Sequence, residues 1–297
     1  MNQKPYFSLN QYLHEKFGRK LYKAALSGSV TCPNRDGRVG TGGCIFCSAS
    51  GSGDFASPIE LPIDEQIERA KLRIRDKIDI NSDEPFLIAY FQSFTATYAP
   101  IDYLARIFTQ AIMHPHVAVL SVATRPDCLP DEVVNLLSDL NKIKPVWVEL
   151  GLQTSNEKTV EKINRCYPLA VYDEAVKKLT NAGIEVVVHV ILGLPEETKE
   201  DMLATVKYVA DSGAKGIKLQ LLHVLKGTAL AETDYVPLTM EEYVDIVADC
   251  VCSLPEDMVV HRITGDGDKK ILIAPEWSKN KKAVLNAINK EIQKRKK

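Results

Sequence analysis

The stretch Glu185-Val186-Val187-Val188-His189-Val190-Ile191-Leu192 decides how this chain folds. Its apolar residues run on without alternation, and most are β-branched, which suits a strand. A strand with one wet face would be polar at every second position. This one must be buried on both faces, as in a parallel sheet covered by helices. Only His189 interrupts the run, and Gly193-Leu194-Pro195 closes it. Outward from it the same kind of run recurs at Phe86–Phe91 (FLIAYF), Val117–Val122 (VAVLSV), Val146–Leu150 (VWVEL) and Gly216–Leu222 (GIKLQLL). Lys20–Ser27 (KLYKAALS) is the expected first strand and Val259–Ile263 (VVHRI) a short last one.

Amphipathic segments separate these runs. Residues 62–78 put Ile63, Ile67, Ala70 and Ile74 on one face, which predicts a helix. Helices are also predicted over 101–113, 131–141, segments up to 181, then 199–212, 240–252 and a basic closing segment, 278–296. Strand and helix in strict alternation predict a partial or complete (β/α) barrel of six units, with an extra C-terminal strand and helix. No linker or low-complexity segment divides it, so residues 1–297 read as one domain. Within it, 1–19 form an aromatic-bearing arm (Tyr6, Phe7, Tyr12, Phe17) with a short helix, 20–225 the core, and 226–297 an extension. The net charge of −2 argues against a general polyanion-binding surface, and the basic end Lys294–Lys297 reads as solvated. The amino terminus is polar, and no apolar run is long enough to span a bilayer. The expected compartment is the cytoplasm, where the seven cysteines stay reduced.

Three of those cysteines, Cys32, Cys44 and Cys47, follow the first strand in a glycine-rich loop, spaced C-x11-C-x2-C. A zinc site would need a fourth ligand, and Cys128, Cys166, Cys250 and Cys252 are scattered. A thioredoxin-like pair would open a helix without a third cysteine upstream. Three thiolates suit a four-iron cluster with one iron left for a small-molecule ligand. Phe46, between the last two cysteines, would shield such a cluster from water. In a barrel the loop faces the other strand ends. Those ends carry Gln92-Ser93-Phe94-Thr95, Thr124-Arg125, Glu149, His189, Gln220 with His223, and Arg262-Ile263-Thr264-Gly265-Asp266.

The cysteines with Phe46 resemble the cluster motif of the radical S-adenosylmethionine superfamily, in the expanded spacing of its YhcC-like, elongator-like branch. The blocks TCPNRDG, GTGGCIFC, YFQSFTATYAP, ATRPDCLP, VELGLQT, HVILGLPEET and HRITGDGDKKILIAPEW carry the resemblance over nearly the whole chain. It implies a partial TIM-type barrel, a [4Fe–4S] cluster on Cys32, Cys44 and Cys47, and S-adenosylmethionine chelating the open iron. Cleavage of that cofactor would give a 5′-deoxyadenosyl radical that takes hydrogen from substrate. The implied cofactor contacts are Phe46, Gln92, Ser93, Thr95, Thr124, Arg125, Glu149, His189, Gly193, and the backbone of Leu221 and Leu222. The family's carboxylate at the second strand is missing here. For Glu149 the competing reading is a buried ion pair, for Arg125 a rim pair with Asp127, and for His189 a satisfied core histidine. Candidate substrate residues are Asn34, Asp36, Tyr98, His223, Arg262, Thr264 and Asp266, although Thr-Gly-Asp-Gly-Asp is also ordinary turn chemistry.

The resemblance implies a lyase acting on queuine, a 7-deazaguanine base, in queuosine salvage, with a flavodoxin or ferredoxin-type electron donor. Two alternatives stand beside it. One is a radical enzyme that modifies tRNA, which the near-neutral charge does not favour. The other is a non-catalytic zinc-binding adaptor.

Overall fold

Seven strands lie side by side and parallel in the computed structural model, which describes residues 4–51, 56–58, 60–78, 84–265 and 267–296. In chain order the elements are α1 (Leu9–Phe17), β1 (Tyr22–Leu26), α2 (Ile63–Arg73), β2 (Leu87–Phe91), α3 (Ile101–Met113), β3 (Val117–Thr124), α4 (Asp131–Asn141) and β4 (Val146–Gln153). There follow α5 (Glu157–Lys162), α6 (Leu169–Asn181), β5 (Glu185–Leu192), α7 (Lys199–Asp211), β6 (Gly216–Leu221), β7 (Val224–Leu225), α8 (Met240–Cys252), β8 (Val259–Arg262), β9 (Leu272–Ala274) and α9 (Lys281–Arg295). The sheet order is β1-β2-β3-β4-β5-β6-β8, and the two edge strands do not pair with each other, so the barrel is partial. This is the architecture expected from the unalternated runs, with the extra C-terminal strand and helix in place.

Burial explains why those runs do not alternate. All five residues of β2 and all eight of β3 are buried, between the helices outside and the barrel interior inside. Each buried Val, Ile or Leu contributes about 1.5–3 kcal/mol relative to exposure. Four helices start directly after a proline in extended conformation (Pro62, Pro100, Pro130, Pro168), where a missing N–H costs nothing. Helices α7 and α8 instead start on capping boxes, Thr198 with Asp201 and Thr239 with Glu242.

The arm closes the amino-terminal end of the barrel. Leu13 of α1 is buried with Leu21, Ile88, Val119 and Trp147, which lie near the strand starts. The Val260 amide donates to the Phe7 carbonyl at 2.8 Å, and Tyr12 Oη donates to Glu185 at 2.6 Å. The antiparallel pair β7–β9 is a feature the sequence reading did not contain. Both its strands are too short to show a period.

Candidate active site

The cysteine loop is held from several sides before any ligand is considered. Asn34 is fully buried, and its Nδ2 donates to the Asn164 carbonyl at 2.5 Å and lies 3.8 Å from Cys44 Sγ. Asn164 Nδ2 in turn donates to the Gly43 carbonyl at 2.8 Å. The Ile45 amide donates to Ile163, and Ile45 accepts from the Leu230 amide. Gly40 is required by packing, because a Cβ there would lie 2.2 Å from Asn34 Oδ1. The Arg35 guanidinium donates to the Cys47, Ser48 and Ala49 carbonyls and covers the Phe94 ring at 5.5 Å. Gly51 must also be glycine. Its φ is +58°, and a Cβ would meet Phe94, itself held at φ 55°, at 2.2 Å.

The loop that follows β1 presents Cys32, Cys44 and Cys47 to one cavity, to which β2, β3, β4, β5, β6 and β8 also contribute. From β2 come Tyr90, Gln92, Phe94 and Thr95, from β3 Ala123, Thr124 and Arg125, and from β4 Glu149, Gly151 and Gln153. Strand β5 gives His189 and Ile191, β6 Lys218 and Gln220, and β8 Arg262. The β4–β5 register shifts between Gly151 and Gln153, and Gln153 takes a φ of 64°. This bulge turns the end of β4 at the cavity wall. Burial pushes the Cys44 thiol up to about 12, with Cys47 and Cys32 adding to the rise and Arg125 opposing it. Three coupled thiols in a glycine-lined loop beside a cavity fit a three-thiolate cluster, and the polar strand ends around them fit a nucleoside cofactor. Phe46 packs on the apolar cluster of Ile163, Leu194, Leu222, Val224 and Leu230 and lines the cavity.

The cavity floor is an ionic network. Glu149 is fully buried, and four donors reach its carboxylate: Lys23 and Ser121, each at 2.8 Å, His189 Nε2 at 2.7 Å, and Lys218. Four donors fill the lone-pair positions of a carboxylate. The buried-ion-pair reading of Glu149 therefore fits better than a direct cofactor contact, and it explains how a carboxylate survives in an apolar strand. Burial alone would raise its pKa, but Lys218 and Lys23 hold it well below the usual range. Burial, with help from the Lys218 charge, pushes His189 down to about 4. It is neutral at pH 7, and with Nε2–H given to Glu149 its Nδ1 is an acceptor. Lys218 also donates to Tyr90 Oη at 3.2 Å.

Arg125 likewise has the rim partner that competed with cofactor binding. Its Nε and Nη2 grip Asp127 at 2.8 and 2.7 Å, and Nη1 donates to the Arg165 carbonyl at 2.9 Å. Thr124 bonds Thr97 at 2.6 Å, whereas the buried Thr95 Oγ1 has no partner. Ser93 is buried but does not line the cavity. Gly193 lies under Tyr235 and Leu238, while Leu221 and Leu222 are packed in apolar clusters, so none of these three reaches the cavity.

Most substrate expectations fall elsewhere. Asn34 fastens the cysteine loop. Asp36 is exposed in that loop's turn and accepts from the Arg38 amide. Tyr98 lines a separate rim groove of about 850 Å³ beneath Arg38. His223 packs against Gly265 and Gly267, and Thr264 is buried beside Leu221. Asp266 lies outside the described residues. Of that set, only Arg262 lines the cavity among the described residues.

The sequence reading missed Lys218, Lys23, Arg165 and Tyr167. For the two lysines a signal existed, since each interrupts an apolar run as Glu149 and His189 do. Arg165 and Tyr167 gave none. Arg165 is 1% exposed and, among the described residues, donates to the backbone carbonyls of Leu152, Thr154 and Tyr167. Cys166 and Cys128, read as scattered, flank the site. Cys166 touches Gly40, and Cys128 is buried against the rim groove.

Comparison with known proteins agrees with this geometry. The family model described as Radical SAM superfamily matches residues 31–209, and Radical_SAM C-terminal domain matches 214–294. The chain is 47% identical to YtqA of Bacillus subtilis over 99% of its own length and 91% of YtqA. It is 34% identical to YhcC of Escherichia coli over 91% and 86% of the two chains. Among solved structures, archaeal Elp3 of Methanocaldococcus infernus superposes with a TM-score of 0.67 at 16% identity, covering 91% of this chain and 63% of that one. The coproporphyrinogen III oxidase HemN of Escherichia coli gives 0.54 at 15% identity, covering 83% of this chain and 55% of that one. These likenesses show the fold. From the family matches and the three convergent cysteines, the chain belongs to the radical SAM superfamily, whose cofactors are a [4Fe–4S] cluster and S-adenosylmethionine.

Proposed function

We propose that this radical SAM enzyme cleaves a small heterocyclic substrate, and that the substrate is queuine. The observation that carries the reading is the composition of the cavity below the cysteines. Aromatic faces (Tyr90, Phe94, Tyr167) stand over a floor with one ammonium donor, Lys218, and one imidazole acceptor, His189 Nδ1. A deazaguanine lactam offers a carbonyl to the first and an N–H to the second. Glu149 acts through its partners: by holding Lys218 and His189 it fixes where each points.

In this reading Cys32, Cys44 and Cys47 hold the cluster, with the Asn34 amide beside Cys44. Gln92, Thr95, Gln153 and Gln220 line the part of the cavity that takes S-adenosylmethionine. Phe46 and the apolar residues beneath it exclude water. When bound, the cluster and cofactor supply the one-electron chemistry that removes a hydrogen atom from substrate. The donor is of flavodoxin or ferredoxin type.

The test is release of 5′-deoxyadenosine by anaerobically reconstituted protein given dithionite and S-adenosylmethionine. Release should rise when queuine is added, with formation of a simpler deazapurine. No rise with queuine, or a rise only with tRNA, overturns the substrate assignment.

A further inference from the structure

Away from the cysteines, at the amino-terminal end of the barrel, three ligand-type side chains meet. Helix α2 presents Glu68 and, one turn on, Lys71 to the turn that joins α3 to β3. That turn is His114-Pro115-His116. One ligand atom from each of Glu68, His114 and His116 lies within 4.8 Å of the others. His114 Nε2 is 3.4 Å from Glu68 Oε1, and the two imidazole rings are 5.5 Å apart.

We propose that Glu68, His114 and His116 form a binding site for a borderline divalent cation of the zinc type, with Lys71 as the cation that the metal displaces. Two imidazoles and one carboxylate, completed by water, are a donor set that zinc accepts, and hard cations such as magnesium prefer oxygen throughout.

The site is preorganised by its backbone. The His116 carbonyl accepts from the Phe86 and Leu87 amides at 3.0 and 2.9 Å. Lys144 Nζ donates to the His114 and Val117 carbonyls at 3.1 and 2.8 Å. Pro115 further restricts the turn, and Phe86 packs on the His116 ring at a centroid distance of 5.1 Å. The two imidazoles are therefore held on a fixed loop, so little side-chain freedom remains to be lost on binding.

Lys71 marks where positive charge is wanted. Its ammonium is 3.3 Å from Glu68 and 3.3 Å from His116 Nδ1, so His116 already directs a lone pair at a cation. His114 Nδ1 accepts from the His116 amide at 3.3 Å, which leaves the ring proton on Nε2. Ligation through Nε2 moves that proton to Nδ1 and gives up this long bond, while Lys71 swings out to solvent still charged.

The experiment is calorimetric titration of zinc into the cluster-loaded protein under anaerobic conditions, where the thiolates of Cys32, Cys44 and Cys47 are already engaged. One zinc per chain is expected, and it should raise the thermal midpoint. His114→Gln and His116→Gln should each weaken binding at least tenfold and abolish the thermal shift. Lys71→Gln should tighten binding, because it removes the competing charge, and this gain of affinity requires an intact fold. Absence of saturable binding in both wild type and Lys71→Gln, or binding that the two histidine variants leave unchanged, overturns the site. Tightening absent in Lys71→Gln overturns the displacement.

Discussion

At the scale of single residues, what matters is which polar groups have partners. Glu149 is tolerable at the centre of the barrel because Lys23, Lys218, Ser121 and His189 fill its lone pairs. Removing one member leaves the others with buried charge to satisfy. Lys218→Met is therefore expected to lower unfolding stability by about 3 kcal/mol, read by urea denaturation. The packing of the cysteine loop gives a second expectation. A methyl at residue 40 collides with Asn34 Oδ1, so Gly40→Ala should abolish iron uptake on reconstitution, while Gly18→Ala, strained by its φ of +70° but placed at the end of α1 away from the cysteine loop, leaves it unchanged. Iron content per chain reads both.

Protonation also belongs at this scale. Burial raises the Glu197 carboxyl from 4.5 to about 7. An acid whose folded pKa is raised loses stability as pH climbs from its unfolded value through the folded one. His189, lowered from 6.5 to about 4, acts oppositely, and stability gained from it rises with pH across that window. The two oppose each other in wild type between roughly pH 4.5 and 6.5. Glu197→Gln removes the first effect, so its stability relative to wild type should increase as pH is raised from 4.5 to 7. A pH-independent difference in melting temperature would contradict this.

At the scale of elements, the sequence was legible where a local rule sets the structure. Helices α3, α4 and α8 occur at the predicted limits because each is bounded by proline or a cap and carries a helical period, and so does β5, whose unalternated apolar run ends at Gly193-Leu194-Pro195. Helix α8 starts on the reciprocal Thr239–Glu242 box, so Thr239→Ala should cost about 1 kcal/mol in thermal denaturation. The elements that were not legible are those made by partners far away in sequence. Strands β7 and β9 exist only through each other, and the Gln153 bulge follows from how β4 meets β5. No periodicity in a two- or three-residue strand announces its mate.

At the scale of the whole molecule, the partial barrel brings six strands and the cysteine loop that follows β1 to a single cavity. With Cys32, Cys44 and Cys47 proposed as the cluster ligands there, Cys44→Ala protein should be colourless after reconstitution and release no 5′-deoxyadenosine, with the far-ultraviolet circular dichroism of wild type retained. Wild-type colour in that variant would remove Cys44 from the ligand set. The Glu68–His114–His116 cluster lies at the opposite end of the strands, where His116 meets the start of β2, so changes at either site are expected to act independently.

The sequence by itself determined the architecture and the three thiols. Unalternated runs can only be buried on both faces, and the spacing of Cys32, Cys44 and Cys47 is written in the chain. Tertiary structure alone decided which polar residues serve the cavity and which serve the scaffold. Asn34 turned out to be a fastener, and Glu149 the anchor of a network. Lys218, unmarked at first, stands on the cavity floor. The physical reason is that a side chain's role follows from its partners, and here those partners lie far apart in the chain, 126 residues for Lys23 and Glu149 and 130 for Asn34 and Asn164.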